Sequence, residues 1–180
     1  KSVQVEGKTI YIARSDFEYG SATVLEKENL ILATHQRTGN IDVFDIATGL
    51  CVKRFEKIFT QFTHSQIVSF GSDFIFLLGN GTVYKLNMDG AYRFFGGSSD
   101  YAAEISLSDN GKFIIITYQG DRARIEILNV ETGAKIFESE SSRSTALQGA
   151  SFSSDNRHIA YFVEEGDRCD LIINDIFKNQ

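Results

Sequence analysis

Proline is absent from this 180-residue chain, where average usage would supply about nine. Its turns must therefore be made by residues that tolerate left-handed backbone angles. The 15 glycines, with Asn and Asp, are the candidates. Tryptophan is absent as well. Cysteine is scarce: Cys51 and Cys169 lie far apart in apolar, strand-like contexts. That is neither a disulfide framework nor a zinc pattern. The expectation is two buried free thiols in a reducing, cytoplasmic setting.

No apolar run approaches the ~20 residues that span a bilayer. The longest, Phe74 to Leu78 and Phe113 to Thr117, are of strand length, so membrane insertion is not expected. The opening Lys-Ser-Val-Gln lacks an initiator methionine and the apolar core of a signal peptide, which suggests a processed product or an excised piece. A basic excess is lacking too: 24 acidic side chains outnumber 18 basic ones, for a net charge of −6. Nucleic acid is therefore not an expected partner.

Catalytic signatures are missing. There is no Gly-x-Ser-x-Gly elbow, P-loop, Rossmann fingerprint or HExxH. The three histidines, His35, His64 and His158, have no ligand-spaced Cys, His or carboxylate beside them. No metal and no cofactor is expected, and the histidines read as satisfied or solvated surface groups. Glu164, Glu165 and Asp167 crowd one turn, where solvated charge is a better account than an acid–base pair. Asn80-Gly81-Thr82 matches a glycosylation sequon but reads first as a tight turn.

What the chain does have is short strands. Leu30 to Thr34, Ile41 to Ile46, Phe74 to Leu78, Thr82 to Leu86, Phe113 to Tyr118, Arg124 to Val130, Ile159 to Val163 and Leu171 to Ile176 are rich in Ile, Val, Phe and Tyr. Each is bounded by Gly, Asn, Asp or Ser, and no long helical periodicity competes, so an all-β protein is expected. One segment recurs. Phe44-Asp45-Ile46-Ala47-Thr48-Gly49 returns as Leu128-Asn129-Val130-Glu131-Thr132-Gly133, in shorter form as Leu86-Asn87-Met88-Asp89-Gly90, and as Asn174 to Asn179. The markers Gly49, Gly90, Gly133 and Asn179 are 41, 43 and 46 residues apart. A period of ~40–45 residues with four strands per unit is the β-propeller pattern. Four units result, at about 22–57, 66–97, 102–140 and 149–180, within one domain over 1–180 and preceded by a hairpin at 3–14.

These residues resemble the WD40 family. Phe44-Asp45 with Thr48-Gly49 looks like the Trp-Asp strand ending and its Thr-Gly turn. Ser108-Asp109-Asn110-Gly111-Lys112 and Ser153-Ser154-Asp155-Asn156 look like the family's Ser-Pro-Asp-Gly turn. The resemblance runs from about Ala22 onward, with departures. Phe44 and Asn174 stand where the family has Trp, and the Gly-His dipeptide is missing, so the family's buried Asp–His–Ser–Trp network is not carried over. The resemblance implies about four propeller blades, as a partial ring or part of a larger one. The last unit ends before a fourth strand, and three completions are open: the N-terminal hairpin, a second copy in a homodimer, or the remainder of a longer chain.

The expected function is a non-catalytic protein–protein interaction scaffold. Loops between second and third strands, together with the connections between units, would form the binding face. Arg37, Phe59, Phe62, Tyr101, Arg122 and Arg168 are the candidate contacts, because Arg and aromatic residues are enriched at interface hot spots. The second class is a small-molecule or carbohydrate site in the central channel, including hydrolysis.

Overall fold

The structure is a computed structural model. It describes residues 2–5, 8–11, 19–35, 38–56, 66–70, 73–77, 82–97, 101–120, 122–140 and 146–178. Every regular element among them is a strand, and the sheets are antiparallel meanders in which chain neighbours pair. β1 (Ser2–Val5) and β2 (Lys8–Tyr11) form a two-stranded sheet of their own. β3 (Tyr19–Leu25), β4 (Leu30–His35), β5 (Ile41–Asp45) and β6 (Cys51–Phe55) form a four-stranded sheet. β7 (Gln66–Phe70), β8 (Asp73–Leu77), β9 (Thr82–Asn87) and β10 (Tyr92–Gly97) form another. A third comprises β11 (Tyr101–Leu107), β12 (Phe113–Gln119), β13 (Arg124–Asn129) and β14 (Lys135–Glu140). The last holds three strands, β15 (Ala146–Phe152), β16 (His158–Glu165) and β17 (Arg168–Asp175).

Side-chain chemistry fixes the turns. The Asp45 carboxylate accepts from the Thr48 N–H and hydroxyl, each at 2.7 Å, and the Gly49 N–H closes on the Asp45 carbonyl at 2.8 Å. Asn129, Thr132 and Gly133 repeat those three bonds at 2.9, 3.1 and 2.8 Å. Gly49 and Gly133 take φ of 70° and 76°, angles at which a Cβ is strained. The turns before β12 and β16 share another pattern. Ser108 Oγ accepts from Phe113 N–H at 2.9 Å, and Ser153 Oγ accepts from His158 N–H at 3.0 Å. Gly111 and Asn156 supply the left-handed residue, at φ 68° and 57°.

Two compact units divide the chain: Lys1–Phe76 with Leu86–Tyr92, and Leu77–Lys85 with Arg93–Gln180. In the first, β7 lies along β3. Ser69 Oγ donates to the Val24 carbonyl at 3.0 Å, and Ile67 N–H donates to Ser21 Oγ at 3.3 Å. One face of β4 and β5 buries Ile31, Ala33 and Phe44 with Val24 and Ile46; Leu32, Ile41 and Val43 are buried as well. In the second unit, Ile115, Ile125 and Ile127 of one sheet meet Leu147, Ile159, Tyr161 and Ile176 of the last. Burying each such side chain fully contributes about 1.5–3 kcal/mol as an upper figure. Close packing explains one glycine: a Cβ on Gly96 would collide with Leu128 Cδ1.

The two thiols depart from expectation. Cys51 and Cys169 are both free but exposed. Cys51 lies on the outer strand of its sheet and Cys169 on the last strand of its own, where one side of an apolar-looking run faces water.

Candidate interaction surface

Polar groups are gathered at the hairpin ends of two sheets. In the first sheet the Asp42 carboxylate is buried, standing opposite Ala33 of β4 and Arg54 of β6. It accepts from Tyr19 OH at 2.9 Å, and from Arg54 Nε and Nη2 at 2.6 and 2.9 Å. His35 Nε2 lies 2.8 Å from Asp42 Oδ2. Burial raises the Asp42 carboxyl, but the hydrogen bonds from Arg54, His35 and Tyr19 outweigh it and hold its pKa below the ordinary value. Asp42 is thus ionised at neutral pH and only accepts, so His35 Nε2 carries the proton in this bond. The Tyr19 ring meets His35 edge-on at 4.7 Å and Phe44 at 6.1 Å.

The same register position in the third sheet holds Glu126, opposite Ile116 and Glu138. Tyr118 OH donates to it at 3.0 Å and Arg124 Nε at 3.2 Å. The Arg124 guanidinium lies 3.9 Å from the centroid of the buried Tyr118 ring. Lys135 reaches Glu126 at 3.9 Å and also pairs with Glu138. The preceding threonines match too: Thr34 Oγ1 donates to the Ser21 carbonyl and Thr117 Oγ1 to the Glu104 carbonyl, each at 3.3 Å. Both carboxylates have their acceptor sites occupied by protein donors, which suits a structural tie better than proton transfer. His35, expected at the surface, is therefore buried. The reason is its place at the end of β4, facing a carboxylate one hairpin away.

The last sheet presents a different surface. Phe162, Leu171 and Ile173 are 45%, 56% and 64% exposed, and Cys169 is exposed on the same side of β17. The opposite side of β17 turns inward, with Ile172 packing on the core. Sheet alternation explains the division, since odd-numbered residues of β17 share one face. Leu171 lies directly opposite Phe162, making a contiguous apolar strip. Among the described residues no strand pairs with the outer edge of β17. Phe177, just beyond it, is also exposed.

Of the candidate contacts, Arg122 and Arg168 are exposed, each at the turn between second and third strands of its sheet. Arg168 Nε lies 2.7 Å from the Asp170 carboxylate. Tyr101 begins β11. Arg37, Phe59 and Phe62 fall outside the described residues. Sequence reasoning missed Asp42 and His35 as partners. A signal existed: a histidine ending one strand, with an aspartate in the facing strand seven residues on. It also missed Phe162, Leu171 and Ile173, because their neighbours Tyr161, Val163 and Ile172 are apolar too and the sequence does not show which face is open to water.

No family model matches the chain, and no curated protein matches it in sequence. Likeness appears in solved structures. The computationally designed Ika4 protein superposes with a TM-score of 0.71 at 11% identity, over 92% of this chain and 95% of that one. Hydrazine synthase of Kuenenia stuttgartiensis superposes with a TM-score of 0.67 at 12% identity, over 81% of this chain. The match spans 44% of that hydrazine synthase chain. At such identities the likeness concerns the fold alone: an all-β arrangement of several antiparallel sheets.

Proposed function

We propose that this chain is a non-catalytic protein–protein interaction module whose successive sheets are WD40-like propeller blades in a partial ring. The recurring turn at Asp45 and Asn129, and the recurring carboxylate at Asp42 and Glu126, support the blade reading. The observation that carries the interaction reading is the exposed strip of Phe162, Leu171 and Ile173. Contiguous apolar surface rimmed by charge is what interaction sites leave open to water. Beside it on the same face stand Gln148, opposite Phe162, and Glu164, joined by a hydrogen bond at 3.2 Å, which form a polar rim. Ile172, on the other side of β17, packs on the apolar core of the second unit, and exposed Arg122 and Arg168 at the hairpins add polar contacts.

Affinity capture with the purified chain tests this. Proteins retained by the wild type should be lost with Leu171→Lys/Ile173→Lys and reduced with Arg122→Glu/Arg168→Glu. Equal retention of the same proteins by all three forms would refute the surface.

A further inference from the structure

Resting on the interaction reading above, we propose that the partner at the last sheet is a second copy of this chain, joined edge to edge through β17 in antiparallel pairing about a two-fold axis at Ile172. The edge is ready for a strand. β17 is eight residues long and pairs with β16 without a bulge, from His158 opposite Asp175 to Glu165 opposite Arg168. Of the devices that blunt an edge it lacks proline, lysine and a bulge, and its charged residues, Arg168, Asp170 and Asp175, flank an uncharged centre at Leu171 to Asn174. Its neighbours show what sits there. In the other large sheets a fourth strand, β6, β10 or β14, flanks the third.

Backbone direction follows from the register. Ile176 N–H donates to the Arg157 carbonyl at 3.0 Å. By antiparallel alternation, even-numbered residues of β17 turn their backbone groups toward β16. Cys169, Leu171, Ile173 and Asp175 turn theirs outward. The residue in the place of Asp175 in the third sheet, Asn129, uses its outward N–H on the Ala134 carbonyl at 2.8 Å.

The strand is complementary to itself. With the axis at Ile172, that residue faces its own copy, Leu171 faces Ile173 of the second copy, and Asp170 faces its Asn174. Arg168 faces Ile176, and Cys169 faces Asp175. Apolar meets apolar at the centre, a polar pair flanks it on either side, and no like charges are opposed. Shifting the axis to Leu171 sets Asp170 diagonal to its own copy, while shifting it to Ile173 sets Asp175 against Leu171. Arg168 and Asp170 also neutralise one another within each strand, at 2.9 Å, so the edge carries little net repulsion. The pairing is heaviest where exposure is greatest, at Leu171 and Ile173.

Analytical ultracentrifugation over a dilution series should give a mass tending to twice the 20.1 kDa chain mass as concentration rises. Ile173→Lys should weaken the association by roughly tenfold or more, since lysine would enter the apolar centre twice. Its side chain is exposed, so the variant should keep the wild-type circular dichroism. The register has its own test. Ile172 is a non-hydrogen-bonded position toward the second copy, where Cα atoms approach to about 4.5 Å, within disulfide range. In a Cys51→Ser/Cys169→Ser background, Ile172→Cys treated with oxidised glutathione should form a disulfide dimer on non-reducing gels. A chain that stays monomeric up to about 0.1 mM overturns the proposal. So does a dimer indifferent to Ile173→Lys, or one in which Ile172→Cys does not cross-link. A monomer that still captures another protein in a Leu171-sensitive way rejects self-pairing while leaving the interaction reading intact; a monomer without such capture rejects both.

Discussion

Replacing Asp42 with alanine removes the acceptor for four hydrogen bonds at once. The loss is not four times one bond. Arg54 is 39% exposed and rehydrates when released, so its two bonds behave like a surface pair worth about 0.5–1 kcal/mol. Tyr19 is half-buried and His35 fully buried, so the His35 Nε2–H loses the Asp42 bond without gaining water. Each of those two losses costs about 1–2 kcal/mol. The total is about 2.5–5 kcal/mol, a large share of a stability that usually lies near 5–15 kcal/mol. Urea unfolding followed by far-ultraviolet circular dichroism should show a midpoint lowered by about 1–2 M with little change in slope. Arg54→Ala should cost only about 1 kcal/mol, because it removes the exposed partner and leaves Asp42 its Tyr19 and His35 donors. Should Asp42→Ala prove no more damaging than Arg54→Ala, the buried cluster would not be holding the first sheet together, and the reasoning fails.

The same cluster sets an acid limit. A carboxyl with a folded pKa below its unfolded value, about 3.9, contributes stability that is complete above that value and is lost as pH falls through the folded one. The midpoint difference between wild type and Asp42→Asn should therefore hold from neutral pH to about 5 and shrink below about 3.5; a difference that grows on acidification would contradict it. In the third sheet, Tyr118→Phe keeps the ring under Arg124 and removes the hydroxyl bond to Glu126. It should cost about 1 kcal/mol in thermal or urea unfolding, and Glu126→Gln in the same background should then cost less than Glu126→Gln alone.

The strands were readable because they carry their own signals. Leu30 to Thr34 emerges as Leu30–His35, and Phe113 to Tyr118 as Phe113–Gln119, each bracketed by the Asn, Asp or Gly that the turn requires. The turn at Asp45 was legible for the same reason: an Asx residue, a threonine and a glycine at fixed offsets close a loop by local bonds alone. The clusters were not legible, because their members come from different strands. Tyr19, His35, Asp42 and Arg54 sit on four strands, and only the register aligns them. His35 closes its cluster from the end of β4 rather than from a Gly-His position, so no dipeptide motif marks it. The cysteines misled for a related reason: apolar neighbours in sequence predict burial only when both faces of a strand are covered, and β6 and β17 each have a face in water.

The carboxylate position connects the clusters to the open edge. Counting along the register, the place of Asp42 and Glu126 falls in β17 on Ile172, opposite Tyr161, and that of His35 and Tyr118 falls in β16 on Val163. The substitution of aliphatic side chains for an ion cluster has a physical reason. A carboxylate on a third strand needs a cover that also brings opposite charge, and for both Asp42 and Glu126 the fourth strand helps supply it: Arg54 from β6 and Lys135 from β14. Among the described residues β17 has no fourth strand beside it, and a carboxylate at that place would stand half-desolvated and unbalanced. Aliphatic residues at that place carry no such requirement, and they present a neutral edge to whatever strand arrives. Ile172→Asp tests the point directly: it should destabilise the chain by lodging an uncompensated charge against Tyr161, whereas a variant as stable as wild type would show that the last sheet tolerates the ion cluster and that the aliphatic choice has another cause.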